Sequence, residues 1–322
     1  MSKKILVLHT GGTISMSEDE SGNIKPNKQN PLAELSLNNQ GEVELVTEEI
    51  FNVPSPHMDP KHMLQLSLRI RRAEEEGFFG AVVTHGTDTL EETAIFLDLT
   101  ISSKMPVVLT GAMRSSNEIG TDGLYNFRAA VIVASSPESV GKGVVVVMND
   151  EIHSARYVTK THTTNVATFR TPTFGPIGIV SDGHVNYVQT IKPLPHLPID
   201  HVVDRVFLVK AFAGMGSELL QALNNSSTNG IVIEALGAGN MPPQTLPVLQ
   251  SLLDNHIPLV LVSRCFNGIA EPVYDYEGGG VNLAKMGIIF CRGLTGPKAR
   301  IKLLVGLSAG LKGKKLAKYL NN

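Results

Sequence analysis

Short apolar runs, rich in β-branched residues, recur along the chain at residues 5–8, 81–84, 107–110, 144–148, 206–209, 231–234, 259–262 and 288–290. Runs that are apolar at every position, rather than at alternate ones, predict strands covered on both faces, as in parallel or mixed sheets packed between helices. Between them, residues 60–76, 91–103, 122–134 and 218–223 place their apolar positions at helical spacing and supply the covering layers. Residues 191–201 read Ile-Lys-Pro-Leu-Pro-His-Leu-Pro-Ile-Asp-His. Prolines that close together serve neither a helix nor a central strand, so a linker is placed at 191–204. The pattern therefore predicts an α/β protein. A larger amino-terminal domain, residues 1–190, has a mixed, mainly parallel sheet flanked by helices, and a smaller carboxyl-terminal α/β domain, residues 205–322, has a parallel sheet. The larger domain is expected to close with a hairpin over 177–188 that turns at Asp182-Gly183.

Composition narrows the class of partner. The chain has 322 residues, more than one domain of ~100–200 residues usually holds. Apolar residues make up 42% and charged ones 18%, and the net charge is −2, which offers no electrostatic reason to expect a nucleic acid or a membrane. A small-molecule substrate is the expectation. Lys312, Lys314, Lys315 and Lys318 alternate with Leu311, Leu316 and Leu320 as on an amphipathic terminal helix, a solvated face rather than a binding patch. Cys265 and Cys291 stand beside apolar runs and are read as inert core thiols, not as a disulfide framework or a thiolate metal site. His57 and His62 are spaced loosely, Pro60 interrupts them and no third ligand stands nearby, so no metal is expected. The first apolar run is too short for a signal or membrane segment, which makes the cytoplasm the expected compartment.

Many of these strands run straight into small, polar or glycine-containing segments: 10–15, 85–89, 111–114, 213–217, 237–240 and 264–268. Ligands of open α/β sheets bind at the carboxyl ends of strands, so these segments are candidates for a functional rim. Thr10-Gly11-Gly12-Thr13-Ile14-Ser15 can bring backbone amides close to a ligand and offer the Thr13 hydroxyl; it is also readable as a tight turn with a capping threonine. It matches neither the dinucleotide fingerprint nor the lysine-containing phosphate loop. His85-Gly86-Thr87-Asp88-Thr89-Leu90-Glu91-Glu92 supplies a hydroxyl and a carboxylate at a helix start. Its plain reading is an N-cap by Asp88 or Thr89, with Glu91 and Glu92 favouring the positive end of the helix dipole. His85 is read as packing or orienting this loop. Ser154-Ala155-Arg156-Tyr157-Val158-Thr159-Lys160-Thr161 places a lysine between threonines after a strand, in a setting where surface charge is the ordinary role.

These motifs, together with Thr110-Gly111-Ala112-Met113-Arg114, occur in an order that resembles the bacterial-type L-asparaginase/glutaminase family. The likeness extends through the proline-rich linker to Gly237-Ala238-Gly239-Asn240 and Pro297-Lys298-Ala299-Arg300. The resemblance implies that Thr13 attacks the side-chain amide of L-asparagine to give an acyl-enzyme that water then hydrolyses, with possible glutaminase activity as a minor reaction. It implies a second catalytic hydroxyl at Thr87, paired with Lys160, and an Asp88 that takes the substrate's α-ammonium. Ser55 falls at the α-carboxylate position and the backbone of Ala112 near the leaving amide, while Gly12, Thr13 or Thr87 amides are candidates for an oxyanion hole. Asn240 resembles a residue lent by the neighbouring subunit's smaller domain, and Glu277 is a further candidate from that domain. No cofactor and a homotetramer, a dimer of dimers, are implied.

The residues fit these roles chemically. A hydroxyl becomes a good nucleophile when a base takes its proton, help worth about 10²–10⁴-fold. Lysine must lose about three units from its usual ~10.4 to act as that base, and a directly paired Asp88 opposes the loss. Asp88 is therefore assigned to the substrate, with the Thr87 hydroxyl between Lys160 and the reacting centre. Two features depart from the family pattern. Residues 17–30, read as a polar flap or as a plain connection, carry no tyrosine, with Asn23 nearest the equivalent place, and Tyr274 or Tyr276 are candidates to substitute. Pro56-His57 follows Ser55 where a polar pair is usual. A non-catalytic amino-acid sensor and an amidase subunit acting on transfer-RNA-linked residues are the alternative readings.

Overall fold

The computed structural model describes residues 2–27, 43–102 and 104–321, which fall into two compact units, Met1–His196 and Leu197–Asn322. In chain order the first unit contains β1 (Lys3–His9), β2 (Met16–Glu18), β3 (Ile24–Pro26), β4 (Val43–Glu49), α1 (Pro60–Glu75), β5 (Gly80–Thr84), α2 (Leu90–Thr100), β6 (Val107–Thr110) and α3 (Gly123–Ser135). It continues with β7 (Val144–Met148), β8 (Glu151–Ser154), β9 (Thr159–Lys160), β10 (Phe169–Arg170), β11 (Gly178–Ser181) and β12 (His184–Tyr187). An eight-stranded sheet runs β12-β11-β8-β7-β6-β5-β1-β4. Its β4-β1-β5-β6-β7 portion is parallel and its β8-β11-β12 end antiparallel, the mixed and mainly parallel sheet that the apolar runs predict.

Burial on both faces explains the continuous apolar runs. Ile5 and Val7 of β1 join Val82, Val108, Val145 and Val147 in a core cluster with Phe127, Ala130, Val131 and Ala134 of α3. Leu6 and Leu8, which strand alternation turns the other way, are just as fully buried. The edge strand β4 was not legible as a strand, because Glu44, Glu48 and Glu49 interrupt its apolar residues and it is only partly buried. Asn149-Asp150 and Asp182-Gly183, all in left-handed conformation, turn the β7-β8 and β11-β12 hairpins, the second where the sequence places it.

The second unit contains β13 (Val206–Lys210), α4 (Glu218–Ala222), β14 (Gly230–Ala235), α5 (Leu246–Asp254), β15 (Leu259–Ser263), α6 (Gly280–Met286), β16 (Ile289–Phe290), α7 (Gly296–Ser308) and α8 (Gly313–Asn321). Its sheet, β13-β14-β15-β16, is parallel throughout. Leu316, Tyr319 and Leu320 are the buried side of α8, while Lys314, Lys315 and Lys318 are exposed, as the amphipathic reading expects. The cysteine reading needs correction. Cys291 is buried, but Cys265 is exposed, because β15 ends at Ser263 and Cys265 lies beyond it with its amide donating to the Ser263 hydroxyl (2.9 Å). Among the described residues no helix is long and apolar enough to cross a membrane.

Two buried histidines stand at the carboxyl ends of central strands. His9 Nδ1 lies 2.7 Å from Thr84 Oγ1. His85 Nδ1 donates to the Gly86 carbonyl (2.7 Å), leaving Nε2 to accept from the Thr93 hydroxyl (2.9 Å). Burial lowers both rings from 6.5 to about 4. The unfolded chain therefore takes up protons that the folded one refuses as pH falls from 6.5 toward 4. Stability is fully present above that window and declines through it by about 1.4 kcal/mol per pH unit for each ring. Thermal unfolding followed by circular dichroism should show the midpoint dropping across this window, with a shallower fall in His9→Gln. A midpoint that stays level would mean that neither ring is protected from protonation.

Candidate active site

The parallel strands β4, β1, β5 and β6 all end at one edge of the first unit's sheet, so the loops that follow them meet there. Backbone hydrogen bonds tie each loop to the next: Thr10 N–H to the Thr84 carbonyl (3.1 Å), Val53 N–H to the Thr10 carbonyl (3.1 Å) and His85 N–H to the Thr110 carbonyl (2.9 Å). The loops then approach more closely than side chains allow. A Cβ on Gly12 would lie 2.3 Å from Gly86 Cα, and one on Gly86 would lie 2.6 Å from Ser55 Cβ. A Cβ on Gly11 would lie 2.6 Å from the Val53 backbone. Gly12 also takes φ 84 and ψ 177, a conformation open essentially to glycine alone. Thr13 and Thr87 each directly follow one of the two glycines in this contact.

Lys160 reaches this edge from the β9-β10 ribbon. Its Nζ donates to Thr87 Oγ1 (2.9 Å) and to Asp88 Oδ1 (2.7 Å). Thr87 is buried at 6% exposure, whereas the Asp88 side chain is 59% exposed, so the pair presents its carboxylate outward and its hydroxyl inward. Asp88, assigned from the sequence to the substrate, is thus paired directly with Lys160.

The N-cap reading of the second motif is also corrected. Thr89 occupies the cap position of α2 but makes no side-chain cap there; its hydroxyl donates to the Ser55 carbonyl (2.8 Å). Ser55, 6% exposed, accepts the Asp88 N–H on its hydroxyl (3.2 Å). The 53–55 loop is thereby fastened to the Thr87–Thr89 segment, while Pro56 and His57 are exposed. His62, considered above for a metal, instead completes a capping box with Asp59 at the start of α1.

Ala112 is buried, and its loop is held by groups that the sequence reading missed. Asp122 accepts the N–H groups of Met113 (3.1 Å) and Arg114 (3.0 Å), and Asn126 donates to the Gly111 carbonyl (3.0 Å) and to Asp122. Asp122 and Asn126 stand four apart at the start of α3, and only that spacing could have suggested a shared task. The segment after the first motif, described as far as Asn27, is a β2-β3 hairpin pinned to the neighbouring loop. Ser116 N–H donates to the Met16 carbonyl (2.8 Å), and Glu18 and Asn117 exchange hydrogen bonds. Residues 28–30 of the expected flap lie outside the described residues, and Asn23 sits at the hairpin's turn.

Asn240 and Glu277 belong to the second unit. Asn240 Oδ1 accepts the Gly280 N–H (3.1 Å), and Glu277 is exposed. Tyr274 and Tyr276, both exposed, lie 5.9 Å apart ring to ring. Among the described residues no cluster of three metal-ligating side chains occurs.

A hydroxyl and a carboxylate sharing one amine, with glycine-flanked amides beside them, are groups that acyl transfer on a small polar substrate can use. Residues 4–193 match the family model "Asparaginase, N-terminal" and residues 205–320 match "Glutaminase/Asparaginase C-terminal domain". The chain belongs to the asparaginase family. It is 36% identical to the L-asparaginase of Bacillus licheniformis over 316 residues, covering 97% of this chain and 98% of the relative. It is 40% identical to a "Probable L-asparaginase" of Deinococcus radiodurans over 313 residues, covering 95% and 94%. The crystal structure of a "Probable Cytoplasmic L-asparaginase" from Campylobacter jejuni superposes with a TM-score of 0.87 at 34% identity, covering 99% of both chains.

The backbone contact predicts a sharp contrast between two glycines. Gly12→Ala meets the Gly86 backbone and should lose about 3 kcal/mol of stability in denaturant unfolding. Gly141→Ala, also at positive φ but with nothing within 4 Å of the new Cβ, should lose only about 1 kcal/mol. Equal losses would show that conformation alone, and not the approach of the two loops, makes Gly12 necessary.

Proposed function

We propose that this protein hydrolyses the side-chain amide of L-asparagine to L-aspartate and ammonia, with L-glutamine as a minor substrate. The observation that carries the reading is Lys160 Nζ bonded at once to the Thr87 hydroxyl and the Asp88 carboxylate at the sheet edge where the Thr13 turn also ends. The names of the relatives support the choice of asparagine.

In the first half-reaction the Thr13 oxygen forms a bond to the amide carbon, the C–N bond breaks and the threonine's proton leaves with the nitrogen as ammonia. In the second, water adds to the resulting ester, and the C–O bond to Thr13 breaks as the oxygen regains a proton. Atoms balance with amide and water alone, so the reading invokes no cofactor. Amides at Gly12, Thr13 or Thr87 face the developing oxyanion, a contribution of about 2.7–4 kcal/mol per donor.

The Lys160–Asp88 contact gives substrate binding a chemical role. When the substrate's α-ammonium takes its place at Asp88, it shares that carboxylate with Lys160 Nζ, 2.7 Å away. Lys160 also donates to the Thr87 hydroxyl, which stands between it and the reacting centre. Ser55 and the backbone around Ala112 complete the substrate site, with the α-carboxylate at the first and the leaving amide near the second. Asn240 and Glu277 come to it from a neighbouring subunit of a homotetramer working in the cytoplasm, a reading supported by family resemblance. A glutamine pocket needs room for one more methylene, a difference of about 1–3 kcal/mol, so small changes in the loops set the preference between the two amides.

Ammonia release from purified protein tests the proposal. Asparagine should turn over faster than glutamine. Lys160→Ala should lower kcat by about 10²–10⁴-fold, with Thr13→Ala and Thr87→Ala at or beyond that range. Tight asparagine binding by calorimetry with no turnover in the unmodified protein would replace the enzyme by the sensor reading.

A further inference from the structure

Lys160 acts from a short ribbon at the side of the main sheet. Its strand β9 has two residues, pairs with β10 alone and lies outside the eight-stranded sheet that positions the other motif loops. The ribbon is well held internally. Thr161 N–H and hydroxyl both reach the Thr168 carbonyl (2.9 and 2.7 Å), and His162 N–H reaches the Thr168 hydroxyl (2.7 Å). Arg170 of β10 bonds Glu151 of β8 (2.9 Å) and Thr171 bonds His153 of β8 (3.0 Å), so the ribbon is also tied to the antiparallel end of the sheet, but none of these bonds runs to the segment that carries Thr87. A lysine stem with four rotatable carbons cannot supply that tie either, since its entropy favours many positions for Nζ.

Thr159, the residue immediately before Lys160, provides a bond that does. It is buried at 8% exposure, and its hydroxyl donates to Glu91 Oε1 (3.1 Å). Glu91 lies in the first turn of α2, three residues beyond Asp88 on the same segment that carries Thr87. One carboxylate therefore joins the strand bearing the amine to the helix start bearing the hydroxyl and the acid. Glu92 also lies in that first turn, so favouring the helix dipole does not single Glu91 out. The bond to Thr159 does.

We infer that Glu91 and Thr159 form a positioning pair, which sets the distance between Lys160 Nζ and Thr87 Oγ1 without touching the substrate. The inference rests on the amidohydrolase reading above and adds the residues that align its base. Misplacement by about 1 Å can lower a rate by about 10²-fold, so loosening this tie should act on turnover before it acts on binding.

The test measures kcat and KM for asparagine, with thermal midpoints, in Thr159→Val, Thr159→Ser, Glu91→Ala, Glu91→Gln and the Thr159→Val/Glu91→Ala double variant. Thr159→Val and Glu91→Ala should each lower kcat roughly ten- to a hundredfold with KM within about twofold of the parent. The double variant should fall no further than the worse single one, because both remove the same bond. Thr159→Ser and Glu91→Gln, which keep a donor and an acceptor, should recover most of the activity. A Thr159→Val protein with parental kcat, a serine variant no better than the valine one, or losses that simply add would overturn the inference. Lys160→Ala separates the two levels. If it keeps full activity, the amidohydrolase assignment of Lys160 fails; if it is inactive while Thr159→Val is unimpaired, only the positioning pair fails.

Discussion

The approach of two glycine backbones, Gly12 and Gly86, is the constraint from which the site follows. Parallel strands deliver their loops to the same edge, but a sheet spaces neighbouring chains at about 4.8 Å and would leave ordinary side chains between them. Glycine at both positions removes that separation. The Ser55 side chain packs against Gly86 and the Val53 backbone against Gly11, so three loops meet with glycine backbone on one side of each contact. The functional groups one residue further along are then held by the rigid sheet instead of by loop chemistry. Hydrogen bonds between Ser55 and the Asp88–Thr89 segment lock the third loop onto the second.

Electrostatics at this edge run in one direction, from a buried hydroxyl to an exposed carboxylate with the amine between them. The pair's outward-facing acid gives an incoming ammonium a place to compete. The ion pair is thus one that a cationic group can alter. The histidines beside it take no comparable part. His85 is fully buried, its two nitrogens are engaged by Gly86 and Thr93, and burial keeps it neutral, so it braces the turn that carries Thr87.

Much of the fold was legible because burial on both faces writes itself as uninterrupted apolar runs. Strands such as Val144–Met148 and Leu259–Ser263 fall where those runs lie. Val43–Glu49 did not show itself, since an edge strand is half in solvent and its glutamates break the run. Helices Leu246–Asp254 and Gly296–Ser308 were likewise not anticipated; the second is buried nearly all round and so lacks the one-sided stripe that marks a surface helix. Within the site, Thr13, Thr87, Asp88 and Lys160 could be named from ordered motifs. Asp122, Asn126 and the Glu91–Thr159 bond could not, because carboxylates and amides at a helix start read equally well as caps.

The amino-acid sequence by itself determined the layered α/β architecture, the positions that must be glycine and the kinds of chemical group available at strand ends. These are local properties: periodicity, conformational freedom and functional groups are carried by each residue wherever it sits. Only the tertiary structure decided that Lys160, 72 positions from Asp88, would bond it directly, that Thr89 would serve Ser55 instead of its own helix, and that Cys265 would be exposed. Each of these depends on which distant segment occupies the space beside a side chain. Packing of whole strands and helices settles that competition, and no short stretch of sequence records its outcome.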